Sequence, residues 1–138
     1  VEHAGTSGVV LAPLPAYAHD AEARVHAFCH ALPDTWQAMG VMLSAAGSLQ
    51  WLHDILAGDV PFDGLAAEAE AWAPGAEGLL FLPYLAGERT PHADPDARGA
   101  FVGLELRHDR GALVRGVLEV VAFGLGDAPR PRGVAPAV

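Results

Sequence analysis

Residues 5–8, with the sequence Gly-Thr-Ser-Gly, have the residue types of a turn that binds phosphate. Gly5 and Gly8 allow positive φ angles and let a ligand approach the backbone closely. The hydroxyls of Thr6 and Ser7 can donate to phosphate oxygens, and successive N–H groups in such a turn can form an anion-binding concavity. The same residues are typical of an ordinary turn between strands. The tetrapeptide alone therefore favours a turn and leaves phosphate binding open.

A second group of small residues stands in the segment SAAGSLQW, residues 44–51. Leucines recur at helical spacing through this region, which predicts a helix over 44–58 with Ser44 as its N-cap. Small side chains at a helix start let an anion reach the free N–H groups there. A tightly packed helix start explains the same residues equally well. If both segments bind phosphate, the turn and the helix are two approach points in one domain.

The segment GERTPHADPDARG, residues 87–99, is rich in charged side chains. A loop of this length without secondary structure is often functional in a compact domain. The favoured interpretation is a loop that is held by its own ion pairs and packs against another domain. Catalysis by Asp94 or Asp96 has less support, because no partner base or metal site is visible beside them. The residues expected to pair are Glu88, Arg89, Asp94, Asp96 and Arg98.

His26, Cys29 and His30 are the closest group of potential metal ligands, but their spacing argues against a shared ion. Cys29 and His30 would point to opposite faces of a strand. His26 and His30 would share a face at a separation of about 13 Å, given about 3.3 Å per residue. Zinc lies only about 2.0–2.3 Å from its ligands. The sequence therefore predicts no metal site.

The composition limits the possible classes of function. The chain has 138 residues, of which 51% are hydrophobic, and this suits one domain with a core. The formal net charge is −9, which argues against a nucleic-acid partner, and all 8 basic residues are arginine, which excludes a phosphate loop of the GK[ST] type. No apolar run is long enough to span a membrane. A single cysteine suits a reducing cytoplasm.

The first half of the chain has a β pattern that changes to a helical one. Residues 5–12 read as a turn that enters a strand, and residues 25–31 and 36–43 as an antiparallel hairpin around LPDTW. After the helix over 44–58, residues 62–73 predict a second helix. Its inward side chains are expected to be Leu65, Ala69 and Trp72, and its outward ones Glu68 and Glu70.

The second half predicts a buried strand, a loop and a buried helix. The continuous apolar run of residues 78–85 indicates a strand covered on both faces. Residues 109–127 predict a helix that is buried all round, capped by Asp109 and carrying an Arg115–Glu119 pair. The proline-rich tail at 128–138 is expected to be disordered or extended. The element order indicates an α/β fold whose mixed sheet begins with an antiparallel hairpin.

Four stretches together resemble the C-terminal domain of the FGGY family of carbohydrate kinases. They are GTSGVV at 5–10, VHAFCHALPDTWQAMGVMLSAAGSLQWL at 25–52, FLPYLAGERTPHADPDARGAFVGL at 81–104 and VRGVLEVVAFGL at 114–125. The resemblance implies an actin-like, ribonuclease-H-like ATPase fold, present here as an incomplete domain over residues 1–127. It also implies that ATP lies in a cleft between two such domains.

The same resemblance implies which residues meet the nucleotide. The Gly-Thr-Ser-Gly turn would contact the phosphates, with Thr6 best placed, and the helix start would approach from the other side. The implied nucleotide-binding residues are Gly5, Thr6, Ser7, Gly8, Ala46, Gly47 and Gln50. The implied ligands are ATP or ADP and Mg²⁺, with the metal held through an N-terminal sugar-binding domain. Neither a nucleic acid nor a membrane is implied as a partner.

The resemblance further implies that important parts of the site lie elsewhere. In the family the catalytic aspartate precedes the GTSG strand and the sugar pocket lies in the N-terminal domain, so the chain is expected to be an inactive fragment. Residues 1–4 fit the expected apolar strand poorly, and residues 128–138 stand where an adenine-binding loop is expected. The implied parent reaction transfers phosphate from ATP to a sugar, with D-xylulose the closest match. The alternatives are another pentose or ketose, and a non-catalytic remnant or interaction module.

Overall fold

The computed structural model describes residues 2–21, 24–56 and 58–126, and the tail expected at 128–138 lies outside them. The strands are β1 (Glu2–Ala4), β2 (Gly8–Leu14), β3 (His26–Cys29), β4 (Trp36–Met42), β5 (Leu80–Leu82) and β6 (Ala100–Val102). The helices are α1 (Ala46–Leu56), α2 (Phe62–Glu70) and α3 (Arg110–Gly126).

The first four strands form one sheet in the order β1-β2-β4-β3. The Gly-Thr-Ser-Gly turn joins β1 to β2, and Ala4 lies opposite Gly8. The predicted hairpin around LPDTW is confirmed as β3 and β4. Glu2–Ala4 form a strand although their residue types fit the expected apolar strand poorly, because pairing uses main-chain groups that do not depend on an apolar side chain.

Every strand pair among the described residues is antiparallel, including the separate pair of β5 and β6. These strands therefore do not form the parallel pairing that a mixed sheet requires. Short connections explain the antiparallel pairing of β1 with β2 and of β3 with β4, because parallel neighbours need a long crossover. The packed helices of the predicted α/β class are present, since α3 packs on α1, α2, β2 and β5.

The main core lies where the three helices meet the β5–β6 pair. Leu52 of α1, Leu65 of α2, and Val114 and Val117 of α3 are buried around Phe81 of β5. The buried residues lie three or four positions apart in each helix, so each helix buries one stripe; they include Ser48 and Leu52 in α1, Leu65 and Ala69 in α2, and Val114 and Val117 in α3. The inward face predicted for α2 is confirmed for Leu65 and Ala69. Burial of these stripes fixes the helices beside the β5–β6 pair.

The prediction for α3 is correct at its start and wrong about its surroundings. The Asp109 carboxylate accepts a hydrogen bond from the N–H of Ala112 at 3.1 Å, as expected for an N-cap. The helix is not buried all round, because Leu118 is 39% exposed and Phe123 is 66% exposed. In the described part of the chain, the core covers only one side of α3.

The Arg115–Glu119 pair forms as predicted, with Nε and Oε1 2.6 Å apart. Glu119 also accepts the N–H of Gly75 at 2.9 Å, so the pair ties α3 to the segment that follows α2. The second predicted helix ends early, and Trp72 lies beyond its last residue. The indole of Trp72 instead donates to the Asp109 carboxylate at 2.9 Å.

The strand predicted over residues 78–85 is much shorter and is covered on one face only. β5 comprises three residues, and its side chains Leu80 and Leu82 are 61% and 37% exposed. A left-handed glycine, Gly78, precedes the strand, and Pro83 follows it without an N–H to continue the ladder. The prediction of burial on both faces is therefore wrong for the described residues.

Candidate phosphate site

The Gly-Thr-Ser-Gly turn packs directly against the start of α1. The N–H groups of Ala45 and Gly47 donate to the carbonyl of Thr6 at 3.0 and 3.1 Å. The N–H of Ala46 donates to the carbonyl of Gly5 at 3.0 Å. The first amides of a helix lack partners inside the helix, and here the turn supplies them.

This contact corrects two expectations about the helix start. The helix begins at Ala46, so Ser44 lies too early to be the N-cap, and the turn carbonyls cap the helix instead. The amides of Ala46 and Gly47 are engaged and do not form an open anion-binding end. The two segments are brought together as expected, but as one closed unit rather than as two separate approach points.

Gly47 and Gly8 both lie close to neighbouring elements in this packing. A Cβ atom on Gly47 would lie 2.9 Å from the carbonyl oxygen of Thr6 and 3.1 Å from its methyl group. A Cβ atom on Gly8 would lie 2.7 Å from Leu125 and 3.2 Å from the Cβ of Ala45. Gly47 is needed for the turn to fit against α1, whether or not a ligand approaches, because its Cβ atom would meet backbone. At Gly8 the nearest atom is the end of the Leu125 side chain, which can move aside.

The hydroxyls of Thr6 and Ser7 are the groups at this turn that can meet a ligand. Thr6 is exposed and Ser7 is half-buried. Within the described residues, neither hydroxyl takes part in a hydrogen bond. The turn is closed by the N–H of Gly5, which donates to the carbonyl of Ser7 at 2.9 Å. The unit therefore presents two hydroxyl donors on a fixed backbone, which fits a phosphate group.

Gln50 lies on α1, one helical turn beyond Ala46, and is exposed. Its side-chain amide donates to Asp54 at 2.7 Å, a pairing across one turn of the helix. The structure thus places Gln50 on the same helix as the capped amides. Binding of a nucleotide by Gln50 stays a prediction.

The loop at 87–99 is held mainly by contacts that the sequence reading missed. Of the expected ion pairs, Arg98 and Asp96 come within 4.0 Å, and both are exposed. The stronger contacts are made by Glu88 and Thr90, which are buried against β4. The sequence pattern does not show that this glutamate and threonine are buried. Their hydrogen bonds can be predicted only once the neighbouring strand is known.

Charged side chains also connect α2 to α3, away from the turn. The Arg110 guanidinium donates to Glu68 at 2.8 Å, and this hydrogen bond lowers the pKa of the Glu68 carboxyl below its usual value. The prediction that Glu68 faces outward is therefore incomplete. The pKa of Asp109 is also lowered, chiefly because its carboxylate accepts the N–H of Ala112.

Among the described residues, no group of three or more histidine, cysteine, aspartate or glutamate side chains is arranged to hold a metal ion. No helix in the same part of the chain has the length and apolar character needed to cross a membrane.

Comparison with known proteins identifies a family whose sequence model covers the turn. The sequence model described as "FGGY family of carbohydrate kinases, C-terminal domain" matches residues 3–128. The xylulose kinase of Escherichia coli (strain K12) is 47% identical over 124 residues, which are 89% of this chain and 25% of that protein. A gluconokinase of Bacillus subtilis (strain 168) is 37% identical over 132 residues, covering 88% of this chain and 25% of that protein.

A solved structure gives the same result for the fold. The crystal structure of ligand-bound xylulose kinase from Lactobacillus acidophilus matches with a TM-score of 0.83 and 31% identity. The match covers 92% of this chain and 26% of that one. The chain therefore spans about a quarter of the length of the curated relatives that it matches.

Proposed function

Because the chain belongs to the FGGY family of carbohydrate kinases and matches its C-terminal domain, we propose that it supplies the phosphate-binding turn of an ATP-dependent sugar kinase. The carrying observation is the Gly-Thr-Ser-Gly turn, whose carbonyls are fixed by α1 while the hydroxyls of Thr6 and Ser7 remain unengaged in the described part of the chain. A turn held in this way can donate to phosphate oxygens without rearranging.

The proposed reaction is ATP + D-xylulose → ADP + D-xylulose 5-phosphate, as the name of the Escherichia coli relative suggests. Phosphoryl transfer to a sugar hydroxyl needs a base for the hydroxyl proton and Mg²⁺ on the phosphates. We assign neither role to this chain. The base, the sugar pocket and the groups that hold Mg²⁺ belong, in this proposal, to the remainder of a longer kinase in the cytoplasm, so the isolated chain is inactive.

A chimera tests this proposal directly. In it, the chain replaces the matching 124-residue region of the Escherichia coli xylulose kinase. The chimera is expected to form ADP only when ATP, Mg²⁺ and D-xylulose are all present, and the isolated chain is expected to form none. A folded chimera that binds D-xylulose but does not bind ATP contradicts the proposal, and sugar phosphorylation by the isolated chain contradicts its last part.

Gluconate or another sugar is a second candidate substrate, because the gluconokinase of Bacillus subtilis is also similar to this chain. The chimera cannot decide between sugars, since its sugar pocket comes from the Escherichia coli protein. The deciding assay uses the longer protein that contains this chain, with D-xylulose and D-gluconate offered in parallel. If kcat/KM is higher for D-gluconate, gluconate replaces xylulose as the proposed substrate, and the proposed role of the turn is unchanged.

A further inference from the structure

We propose that Glu88 and Thr90 are positioning residues for the phosphate turn, acting through the end of β4 and the start of α1. The proposal deepens the proposed function and rests on it. Its starting observation is a stretch of β4 that β3 leaves unpaired. β3 pairs with β4 only over Trp36 to Met39, so Val41 and Leu43 lie beyond the last pair.

Thr90 takes the place of a strand residue beside Val41. The N–H of Thr90 donates to the Val41 carbonyl at 3.1 Å. The N–H of Val41 donates to the Thr90 hydroxyl at 3.0 Å. The same hydroxyl donates to the carbonyl of Arg24, so Thr90 links β4 to the segment that enters β3. Both main-chain groups of Val41 are thus satisfied by one loop residue.

Glu88 holds Leu43, the residue that directly follows β4. Its Oε1 atom accepts the N–H of Leu43 at 3.0 Å and the N–H of Arg89 at 2.7 Å. Glu88 is only 4% exposed and Thr90 is 7% exposed. Hydrogen bonds to a charged group are stronger than those between neutral groups, and removing the carboxylate leaves two donors without their partner.

The effect reaches the turn because the distance along the chain is short. Leu43 stands three residues before Ala46, the first residue of α1. Ala45 lies between them and is fully buried, and its N–H donates to the Thr6 carbonyl. A shift of Leu43 therefore moves the amides that hold the turn, because the short segment between Leu43 and Ala46 cannot absorb it.

The test uses the chimera described above, carrying Glu88→Ala or Glu88→Gln. Glu88→Ala, which removes the acceptor oxygens, is expected to raise the KM for ATP about fivefold to tenfold, because the turn is displaced while its own hydroxyl donors remain. The KM for D-xylulose is expected to stay unchanged, because the sugar pocket lies outside this chain. Glu88→Gln keeps a side-chain oxygen that can accept the Leu43 N–H, so it is expected to restore most of the ATP affinity.

Asp96→Ala is the matched control, because it removes a carboxylate from the same loop at a side chain that is 92% exposed. It is expected to change neither KM. A folded Glu88→Ala chimera with an unchanged KM for ATP, or with equal losses for both substrates, overturns the proposal. If Glu88→Ala does not fold, Thr90→Val decides, since it removes only the hydroxyl. The same rise supports the proposal, and an unchanged KM for ATP overturns it.

A Thr6→Val chimera separates this proposal from the function on which it rests. If Thr6→Val leaves the affinity for ATP unchanged, the proposed phosphate role of the turn fails. If Thr6→Val weakens ATP binding while the Glu88 and Thr90 variants do not, only the positioning proposal fails.

Discussion

Gly47 shows how closely the turn and α1 fit at the scale of a single residue. The Gly47→Ala substitution would place a Cβ atom 2.9 Å from the Thr6 carbonyl, which is closer than ordinary contact. We expect the turn to shift, the free energy of unfolding to fall by about 1–3 kcal/mol as for other overpacked sites, and ADP binding by the chimera to weaken. Thermal melting and ADP titration measure the two effects.

The control for that substitution is Gly126→Ala, because a Cβ atom there would meet nothing within 4 Å. It is expected to leave both the melting temperature and ADP affinity near their original values. If the Gly47→Ala and Gly126→Ala variants have the same melting temperature and the same affinity for ADP, the turn does not depend on this close contact.

Asp109 is a residue whose charge state links stability to pH. Its pKa is lowered in the folded chain, chiefly by the hydrogen bond from Ala112. A lowered folded pKa contributes stability above the unfolded value of about 3.9, and this contribution is lost as the pH falls through the folded pKa. Asp109→Asn keeps an acceptor at the cap but does not titrate.

We therefore expect the stability difference between the original chain and Asp109→Asn to shrink as the pH falls from 7 toward about 3. Asp109→Ala, which removes the cap, is expected to lose about 1 kcal/mol at pH 7. Urea unfolding at both pH values measures these differences. A stability difference that is constant with pH would contradict the assigned cause of the lowered pKa.

At the scale of elements, α3 offers a matched pair of glycine substitutions. A Cβ atom on Gly116 would meet only ordinary contacts, with the Leu79 carbonyl at 3.8 Å and Phe81 at 4.0 Å. A Cβ atom on Gly111 would lie 2.6 Å from the carbonyl of Glu68. We expect Gly116→Ala to raise the free energy of unfolding by about 0.5–1 kcal/mol, since alanine favours a helix interior.

Gly111→Ala is expected to lower that free energy, because α2 and α3 must separate to admit the new methyl group. Chemical unfolding of the two variants under one set of conditions gives the comparison. If both variants were stabilised, helix propensity would outweigh the packing of α2 on α3, and the account of this contact would be wrong.

The elements that the sequence predicted well are those whose signals are local. Asp109 and the apolar positions that follow it define the start of α3 correctly, because cap and helix are neighbours in the chain. The sequence predicts Ser44 as the N-cap of α1, which is wrong because the cap comes from the carbonyls of Gly5 and Thr6, far away in sequence. No local pattern can show a cap that tertiary packing brings into place.

The errors at β5 and at the charged loop have the same origin. The apolar run at 78–85 predicts a strand but does not show which faces are covered, and Leu80 proved to be exposed. The sequence predicts an ion pair for Glu88, whereas its carboxylate accepts the N–H of Leu43, just after β4, and the N–H of Arg89 in its own loop. The residue types in the sequence therefore predict the candidate site. Only the structure shows the hydrogen bonds from neighbouring elements that support it.

At the scale of the whole molecule, the β5–β6 pair exposes one apolar face in the described part of the chain. Leu80 and Val102 lie opposite each other and are 61% and 51% exposed. An apolar face of this kind favours association. We expect the isolated chain to self-associate, and Leu80→Lys to shift it toward a monomer in sedimentation experiments.

Leu106→Lys is the control for that experiment, because it makes the same change at a fully exposed leucine outside the β5–β6 pair. If both lysine variants reduced association equally, added charge rather than the β5–β6 face would explain the result. If neither did, this face would not be the surface through which the chain associates.

The measurement that tests the central claim most directly is the dissociation constant for ADP of the chimera, compared between Thr6→Val and Thr6→Ser. Valine keeps the shape of Thr6 and removes its hydroxyl, whereas serine keeps the hydroxyl. We expect Thr6→Val to weaken ADP binding about tenfold or more, the effect of losing a hydrogen bond to a charged group, while Thr6→Ser binds nearly as well as the original. Equal affinity of the original, Thr6→Val and Thr6→Ser proteins for ADP would contradict the claim that this turn binds phosphate.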